Sequence, residues 1–344
     1  MTASAPVLVS ATGRPPPPPP AIDDVSCPIA SWCAGVDGPG GVRVSTDGGV
    51  HWSSRPVPGR PSLYGITCRA PGWCLAVGDR GAMAVTTDGG RQWHRRSSGT
   101  TEPLAAVACP SSSICVAVGE AGAMVRSVDG GRRWGAVATH RVDTLVGLAC
   151  PTTRHCLAVG TLPIASLTDD AGARWRQVTM PVLALVGMRG VSCADPGWCV
   201  AVGTNAAVLS SSDGGGQWQL DPVPLTDEVH GVSCTGSGGC VVVGSDGQVA
   251  TEATPGGPWL GRPSGTGEML LAATCVGPAC IGVGGGGTVV RSIDGGSSWR
   301  AVAGVPSATD PVPVLFAGDS AAYTLADGLA HQAGAYGLAL TNDG

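Results

Sequence analysis

The sequence predicts an all-β protein, a β-propeller of four-stranded antiparallel blades, on the basis of three observations. A pair of cysteines recurs seven times, and the first cysteines of these pairs lie 41, 41, 41, 43, 41 and 41 residues apart. A tryptophan follows each first cysteine after 24 or 25 residues. Within each repeat, short apolar runs alternate with turns that contain glycine. Strand-rich units that repeat every 40 to 50 residues or so are typical of propeller blades.

The second repeat shows how one blade is built. Tyr64 to Cys68 is a run rich in β-forming residues, and after the turn at Pro71-Gly72 the segment Cys74 to Gly78 returns as a second strand. Two further turns bound a third strand over residues 82–86 and lead into a fourth strand that carries Trp93. The second strand is apolar at nearly every position, which predicts burial on both of its faces.

The two cysteines of each pair are predicted to face each other across the first hairpin and to form a disulfide. Such a bridge closes a small ring and stabilises the fold by about 2 kcal/mol. Zinc binding is the alternative, but zinc sites usually have closer cysteine spacing and need two further ligands, so neither a metal nor a cofactor is expected. The predicted pairs are Cys27 with Cys33, Cys68 with Cys74, Cys109 with Cys115, Cys150 with Cys156, Cys193 with Cys199, Cys234 with Cys240, and Cys275 with Cys280.

Because disulfides persist in oxidising compartments, the cysteine pairs predict an extracytoplasmic or secreted protein. The segment Met1 to Ser10 has neither the basic region nor the apolar core of a signal peptide. Two explanations stay open, a native start that is missing from the sequence or thiols that remain reduced, and the first is favoured.

Composition excludes several classes of partner. Charged residues make up 13% of the chain, the net charge is −5, and the 20 basic residues are scattered arginines, so no nucleic-acid partner is expected. No apolar run approaches the roughly 18 residues of a membrane span. A soluble monomer with a protein or carbohydrate partner is the expected state.

The repeats are expected to form one domain over residues 1–344, with cysteine-containing blades that begin near residues 22, 63, 104, 145, 188, 229 and 270. Three strand-like runs in residues 312–344 resemble an incomplete last blade, and another, Ala5 to Ser10, precedes a Pro-rich connection over residues 12–21. The favoured prediction is therefore eight blades, with the N-terminal strand completing the last one. The alternative is a seven-bladed ring plus an incomplete unit, in which the prolines form a tether.

The turn before each tryptophan carries the pattern S/T-x-D-x-G-x-x-W. A degenerate copy has Glu252 and Thr254 at its first two conserved positions. The aspartates of the six intact copies are Asp47, Asp88, Asp129, Asp170, Asp213 and Asp294. The pattern resembles the Asp-box, or bacterial neuraminidase repeat, and the strands resemble the propeller of photosystem II assembly and stability factors. This resemblance covers nearly the whole chain and implies a propeller scaffold, from which the paired cysteines depart. The aspartates are expected to be structural, accepting backbone N–H groups across a glycine turn.

Candidate ligand-binding residues lie where the repeats differ. The fourth position before each first cysteine, on the strand expected to line the channel, is polar in four of seven repeats and nearby entry segments add Glu228. These candidates are Asp23, Tyr64, Arg189, His230 and Glu228. The alternative is a solvated channel without a ligand.

The predicted function is a non-catalytic scaffold that binds a partner on one rim. The alternative is glycoside hydrolysis of the sialidase type, in which the resemblance implies an arginine cluster, a tyrosine nucleophile with a glutamate, and an acid/base aspartate. The arginines that precede boxes, Arg43, Arg126 and Arg291, are predicted on third strands away from the centre. No catalytic residue is therefore assigned.

Overall fold

The computed structural model describes residues 20–38, 40–139, 143–181, 186–236 and 239–302. These residues form seven four-stranded antiparallel sheets, each made of four consecutive strands. Blade 1 contains β1 (Asp24–Ile29), β2 (Trp32–Asp37), β3 (Gly41–Ser45) and β4 (Ser53–Pro56). Blade 2 contains β5 (Leu63–Ala70), β6 (Trp73–Gly78), β7 (Met83–Thr86) and β8 (His94–Arg95). Blade 3 contains β9 (Leu104–Ala108), β10 (Cys115–Gly119), β11 (Met124–Ser127) and β12 (Gly135–Ala136).

The remaining blades repeat this arrangement. Blade 4 contains β13 (Leu145–Ala149), β14 (Cys156–Gly160), β15 (Ile164–Thr168) and β16 (Arg176–Thr179). Blade 5 contains β17 (Met188–Cys193), β18 (Cys199–Gly203), β19 (Val208–Ser211) and β20 (Gln219–Leu220). Blade 6 contains β21 (Val229–Cys234), β22 (Cys240–Gly244), β23 (Val249–Glu252) and β24 (Leu260–Arg262). Blade 7 contains β25 (Leu270–Val276), β26 (Ala279–Gly284), β27 (Val289–Ser292) and β28 (Arg300–Ala301).

The ring closes with seven blades. The first strand of each blade contacts the first strand of the next, and β25 contacts β1 in the same way. The Ile22 N–H donates to the Gly284 carbonyl at 3.1 Å, and Ile22 packs in one apolar cluster with Ile281 and Val283. The seven-bladed alternative is thus confirmed. The eight-bladed prediction is wrong because blade 1 already covers the face of blade 7 where an eighth blade would pack. Residues 5–10 and 312–344, and most of the Pro-rich segment 12–21, lie outside the described residues.

Apolar side chains of the second and third strands form the core between blades. The strands β10, β14, β18 and β22 are buried at every position, as their uninterrupted apolar sequences predict. One apolar cluster joins Val36 and Val44 of blade 1 to Leu63 and Ala76 of blade 2. The blades are therefore held together by packed side chains rather than by shared strands.

Each box tryptophan packs against the preceding blade. Trp134 of blade 3 lies against Leu75 and Val77 of blade 2, and Trp52 of blade 1 lies against Ile281 of blade 7. One large ring in each blade thus fills the space between two sheets of small and branched side chains.

The two ends of the ring carry different turns and links between strands. Antiparallel order places the start of each first strand, the link from the preceding blade and the turn between second and third strands at one end, which we call the entry end. The first hairpin and the box turn lie at the other end, which we call the disulfide end. Seven disulfides join the cysteine pairs named above, and no cysteine is free.

Within the described ranges, no helix is long and apolar enough to cross a membrane.

Candidate functional site at the entry end

Two neighbouring positions at the start of the first strand have different environments. The fifth residue before each first cysteine is a large apolar side chain with at most 1% exposure. These anchor residues are Ile22, Leu63, Leu104, Leu145, Met188, Val229 and Leu270. The next residue carries the candidate site position and is at least partly exposed in every blade. The anchor fixes the strand to the core, while the following side chain is accessible.

A β-bulge accounts for this difference in blades 2 to 7. In blade 2, Leu63 pairs with Gly78 and Gly65 pairs with Val77, so Tyr64 is an extra residue without a partner. In blades 5 and 6, Arg189 and His230 are the extra residues in the same register shift. Bulges turn a side chain away from the regular alternation of the strand. The shift thus gives six blades a variable, accessible side chain at the entry end. We call the surface formed by these side chains and Asp23 the mouth.

A glycine at the end of the second strand permits this register. A Cβ on Gly78 would clash with the Ser62 carbonyl oxygen and lie 2.7 Å from the Leu63 Cα. Glycine recurs at this place in blades 3 to 7, and the residue after the bulge is always glycine or alanine in blades 2 to 7. These small residues are the signal from which the bulge could have been predicted.

Three candidate residues meet between blades 5 and 6. The Arg189 guanidinium lies 3.4 and 3.5 Å from the Glu228 carboxylate oxygens. His230 Nδ1 lies 4.0 Å from Glu228, and its Nε2 lies 3.3 Å from the Ser245 hydroxyl. Burial lowers the pKa of His230, although the Glu228 charge opposes that shift. Near neutral pH this cluster therefore presents a charged pair beside an uncharged imidazole.

The other two candidates, Asp23 and Tyr64, lie at the start of blades 1 and 2 and interact through charge. Tyr64 is 40% exposed, and burial together with the negative charges of Asp79, Glu120 and Asp23 raises its pKa. The phenol therefore stays protonated and can donate a hydrogen bond. The Asp23 carboxylate accepts the Gly38 N–H at 2.9 Å, and burial raises the pKa of Asp23. Among the described residues, no hydrogen bond or ion pair joins Asp23 or Tyr64 to Arg189 or His230, so the five candidates form two clusters.

The arginines on the third strands take no part in either cluster. Arg43 pairs with Asp37 at 2.9 Å, and the Arg126 Nε donates to the Ala171 carbonyl of the next blade at 2.6 Å. Arg291 lies beside Gly48 of blade 1. Among the described residues these side chains support turns and blade contacts, so they do not form an arginine cluster at the mouth.

The box turns at the disulfide end show a recurring hydrogen-bond network. In blade 3, the Ser127 hydroxyl donates to Asp129 at 2.9 Å and accepts the Gly131 N–H at 2.9 Å. Asp129 also accepts the Arg133 N–H, which lowers the pKa of its carboxyl to about 2. The Trp134 indole N–H donates to the Gly131 carbonyl. The same hydroxyl-to-aspartate bond occurs at Ser45, Thr86, Thr168, Ser211 and Ser292.

The described residues contain no group of three or more His, Cys, Asp or Glu side chains arranged to hold a metal ion. Each of the six intact boxes contributes one aspartate carboxylate, and at least one of its oxygens already accepts hydrogen bonds within the turn.

No protein-family model and no curated protein matches the chain, so membership of the Asp-box family stays a prediction. Solved structures do match. YCF48 bound to D1 peptide has a TM-score of 0.65 at 16% identity, covering 80% of this chain and 93% of that chain. YCF48 from Cyanidioschyzon merolae has a TM-score of 0.66 at 14% identity, covering 81% and 97%. The WD40 beta propeller domain of Doa1 has a TM-score of 0.63 at 14% identity, covering 79% and 92%. At these identities the likeness shows the fold, and the chain is a β-propeller.

Proposed function

We propose that this propeller is a non-catalytic scaffold that binds an extended segment of a protein partner at the entry end. The observation that supports this most directly is the placement of variable side chains on bulges around the mouth, above buried anchors that hardly vary in character. Invariant packing with variable exposed positions is the arrangement by which repeat folds present binding surfaces. A similar propeller, YCF48, is bound to a D1 peptide, and this indicates that the fold can hold a peptide.

The chemistry of the mouth favours a segment that carries basic side chains. Tyr64 offers an exposed ring, and the carboxylates of Asp23, Asp79 and Glu120 surround it closely enough to raise its pKa. A cation over an aromatic ring is attracted by the ring face, and neighbouring carboxylates add to that attraction. On the other side of the mouth, the pair of Arg189 with Glu228 offers hydrogen bonds to backbone groups or to an acidic residue.

Peptide selection tests this proposal. We expect random 12-residue display peptides selected on the wild-type protein to be enriched in arginine or lysine. In fluorescence anisotropy they should bind Tyr64→Ala and Arg189→Ala about tenfold more weakly, as expected for residues near the centre of an interface. Arg132→Ala removes an exposed side chain at the disulfide end and should change affinity less than twofold.

Three results would contradict the proposal. Selected peptides that lose affinity for Arg132→Ala, and not for the two mouth variants, would place binding at the disulfide end. Turnover of fluorogenic sialosides or related glycosides would favour the hydrolase alternative, and binding on a glycan array without peptide binding would favour a carbohydrate partner.

We propose an extracytoplasmic or secreted location for the scaffold. Seven disulfides within blades are the supporting observation, because such bridges persist in oxidising compartments. Expression with and without an export signal, followed by thiol counting, tests this location.

A further inference from the structure

The box of blade 6 departs from the other six in chemistry. Glu252 occupies the place of the buried hydroxyl residue, and Thr254 occupies the place of the aspartate. Glu252 is 1% exposed, and neither of its carboxyl oxygens accepts a hydrogen bond of good geometry among the described residues. The hydroxyl of an intact box has both a donor and an acceptor, so this carboxyl replaces a satisfied group with an unsatisfied one.

Glu252 faces blade 5 across the seam between the two blades. Trp198 of blade 5 is buried in one apolar cluster with Trp259 of blade 6, and its indole N–H also makes no hydrogen bond of good geometry among the described residues. Trp259 of blade 6 donates its indole N–H to Asp221 of blade 5 at 3.3 Å, rather than to its own box as five other box tryptophans do. The seam therefore lacks the box network that the other blades share.

The charged groups around Glu252 do not neutralise it. Asp221 is the nearby charge that acts on it, and Asp221 is itself negative and held by the Ser210 hydroxyl at 2.8 Å. Arg262 on β24 donates to the Thr251 hydroxyl at 3.1 Å, one residue before Glu252. A buried carboxylate without a cation or sufficient donors binds a proton instead of keeping its charge.

Burial and the Asp221 charge raise the pKa of Glu252 to about 7, although the backbone N–H groups of Gly256 and Gly257 and the Trp198 indole oppose the shift. A raised pKa in the folded state means that this carboxyl contributes its full stabilisation below its unfolded pKa of about 4.3. That contribution is lost as the pH rises through about 7.

We propose that Glu252 is a proton-operated switch at the seam between blades 5 and 6. As the neutral acid it lets the seam close, and as the carboxylate it draws water and loosens the contact between Trp198 and the box of blade 6. No ligand or partner is needed for this response, so it is independent of binding at the entry end.

Hydrogen exchange on the intact protein at pH 5.5 and pH 8, corrected for intrinsic exchange rates, tests the switch. We expect protection of residues 198–211 and 249–260 to fall on the order of tenfold at the higher pH. The equivalent segments of blades 2 and 3, residues 73–86 and 115–127, should change less than threefold. Glu252→Gln cannot ionise, and its seam should show the same protection at both pH values.

Two further variants serve as controls. The double variant Glu252→Ser with Thr254→Asp restores the box pattern and should give a protected, pH-independent seam even if Glu252→Gln folds poorly. Glu102→Gln removes an exposed carboxylate and should behave as wild type. Equal protection of the wild-type seam at both pH values would overturn the proposal, as would an undiminished pH response in Glu252→Gln or in the double variant.

Discussion

The hydroxyl that opens each intact box is a small group with a large structural role. Ser127 is 1% exposed, and its oxygen both donates to Asp129 and accepts the buried Gly131 N–H. The positive φ of Gly131, 83°, lets the turn bring that N–H to the hydroxyl. Serine or threonine is required here because alanine would leave a buried donor without a partner.

We therefore expect Ser127→Ala to destabilise the fold by about 1 to 3 kcal/mol, the usual cost of an unsatisfied buried donor. Urea unfolding at neutral pH measures the change, and Ser112→Ala, at an exposed serine on the adjacent hairpin, is the matched control. Equal stability of the two variants would show that the network contributes nothing.

The box aspartates should make the protein sensitive to acid. Backbone N–H groups and the box hydroxyl lower the pKa of Asp213, as in the other intact boxes. A lowered folded pKa contributes stability above the unfolded value of about 3.9, and that stability is lost as the pH falls further. Asp213→Asn should thus be less stable than wild type at pH 6, and the difference should shrink toward zero at pH 2. A difference that stays constant across that range in urea titrations would contradict this mechanism.

The site residues show how far single positions can be predicted. The fourth position before the first cysteine is the accessible residue after a buried anchor in every repeat, so Tyr64, Arg189 and His230 could be selected as candidates from spacing alone. Their division into two clusters could not be predicted, because it depends on contacts between different blades. Glu228 pairs with Arg189 although 39 residues separate them.

At the scale of the element, each blade is a short meander held by its own bridge. The fourth strand has only two residues in blades 2, 3, 5 and 7. The box tryptophan and the box turn hold the residues around this short strand in place. The outer edge of the blade therefore needs few strand-to-strand hydrogen bonds. The strands and turns were predictable because the same pattern recurs in every repeat. One short apolar run could be a strand or a buried helix segment, and agreement among seven copies removes that ambiguity.

The bridge within each hairpin should have a measurable effect on stability. Cys109 and Cys115 are six residues apart and joined, so their bond closes a small ring of chain. Replacing both with alanine should lower the free energy of unfolding by about 2 kcal/mol through the freedom regained by the unfolded chain.

Thiol titration of the denatured, unreduced wild-type protein should find almost no free thiol. Substantial free thiol would contradict both the pairing and the proposed compartment.

At the scale of the whole molecule, the number of blades was the feature that the sequence predicted wrongly. The strand-like segments at the two termini suggested one more blade, and counting strands does not reveal the angle between neighbouring sheets. That angle depends on the volumes packed at each seam, such as Trp52 against Ile281, and these contacts join residues from opposite ends of the ring. Periodicity within a repeat contains no information about such contacts.

The closing seam differs from the other six in one respect. Links of a few residues join successive blades, whereas blades 7 and 1 are held together by side-chain packing and the bond from Ile22 to Gly284. If this seam opens, it exposes two complementary apolar faces, and two such molecules can pair with each other. A mutation here should therefore have a consequence that the same mutation at an internal seam lacks.

We expect Trp52→Ala to form dimers or larger species as its concentration rises, relative to wild type, because the opened faces of blades 7 and 1 associate between molecules. Trp134→Ala removes the equivalent ring between blades 2 and 3, where the chain holds the blades together. It should lose up to about 3 to 5 kcal/mol of stability without associating. Light scattering after size exclusion, over a hundredfold range of concentration, separates the two outcomes. If both variants unfold at the same temperature and keep the wild-type mass, the seam between blades 7 and 1 is as stable as a seam whose two blades are linked by the polypeptide chain.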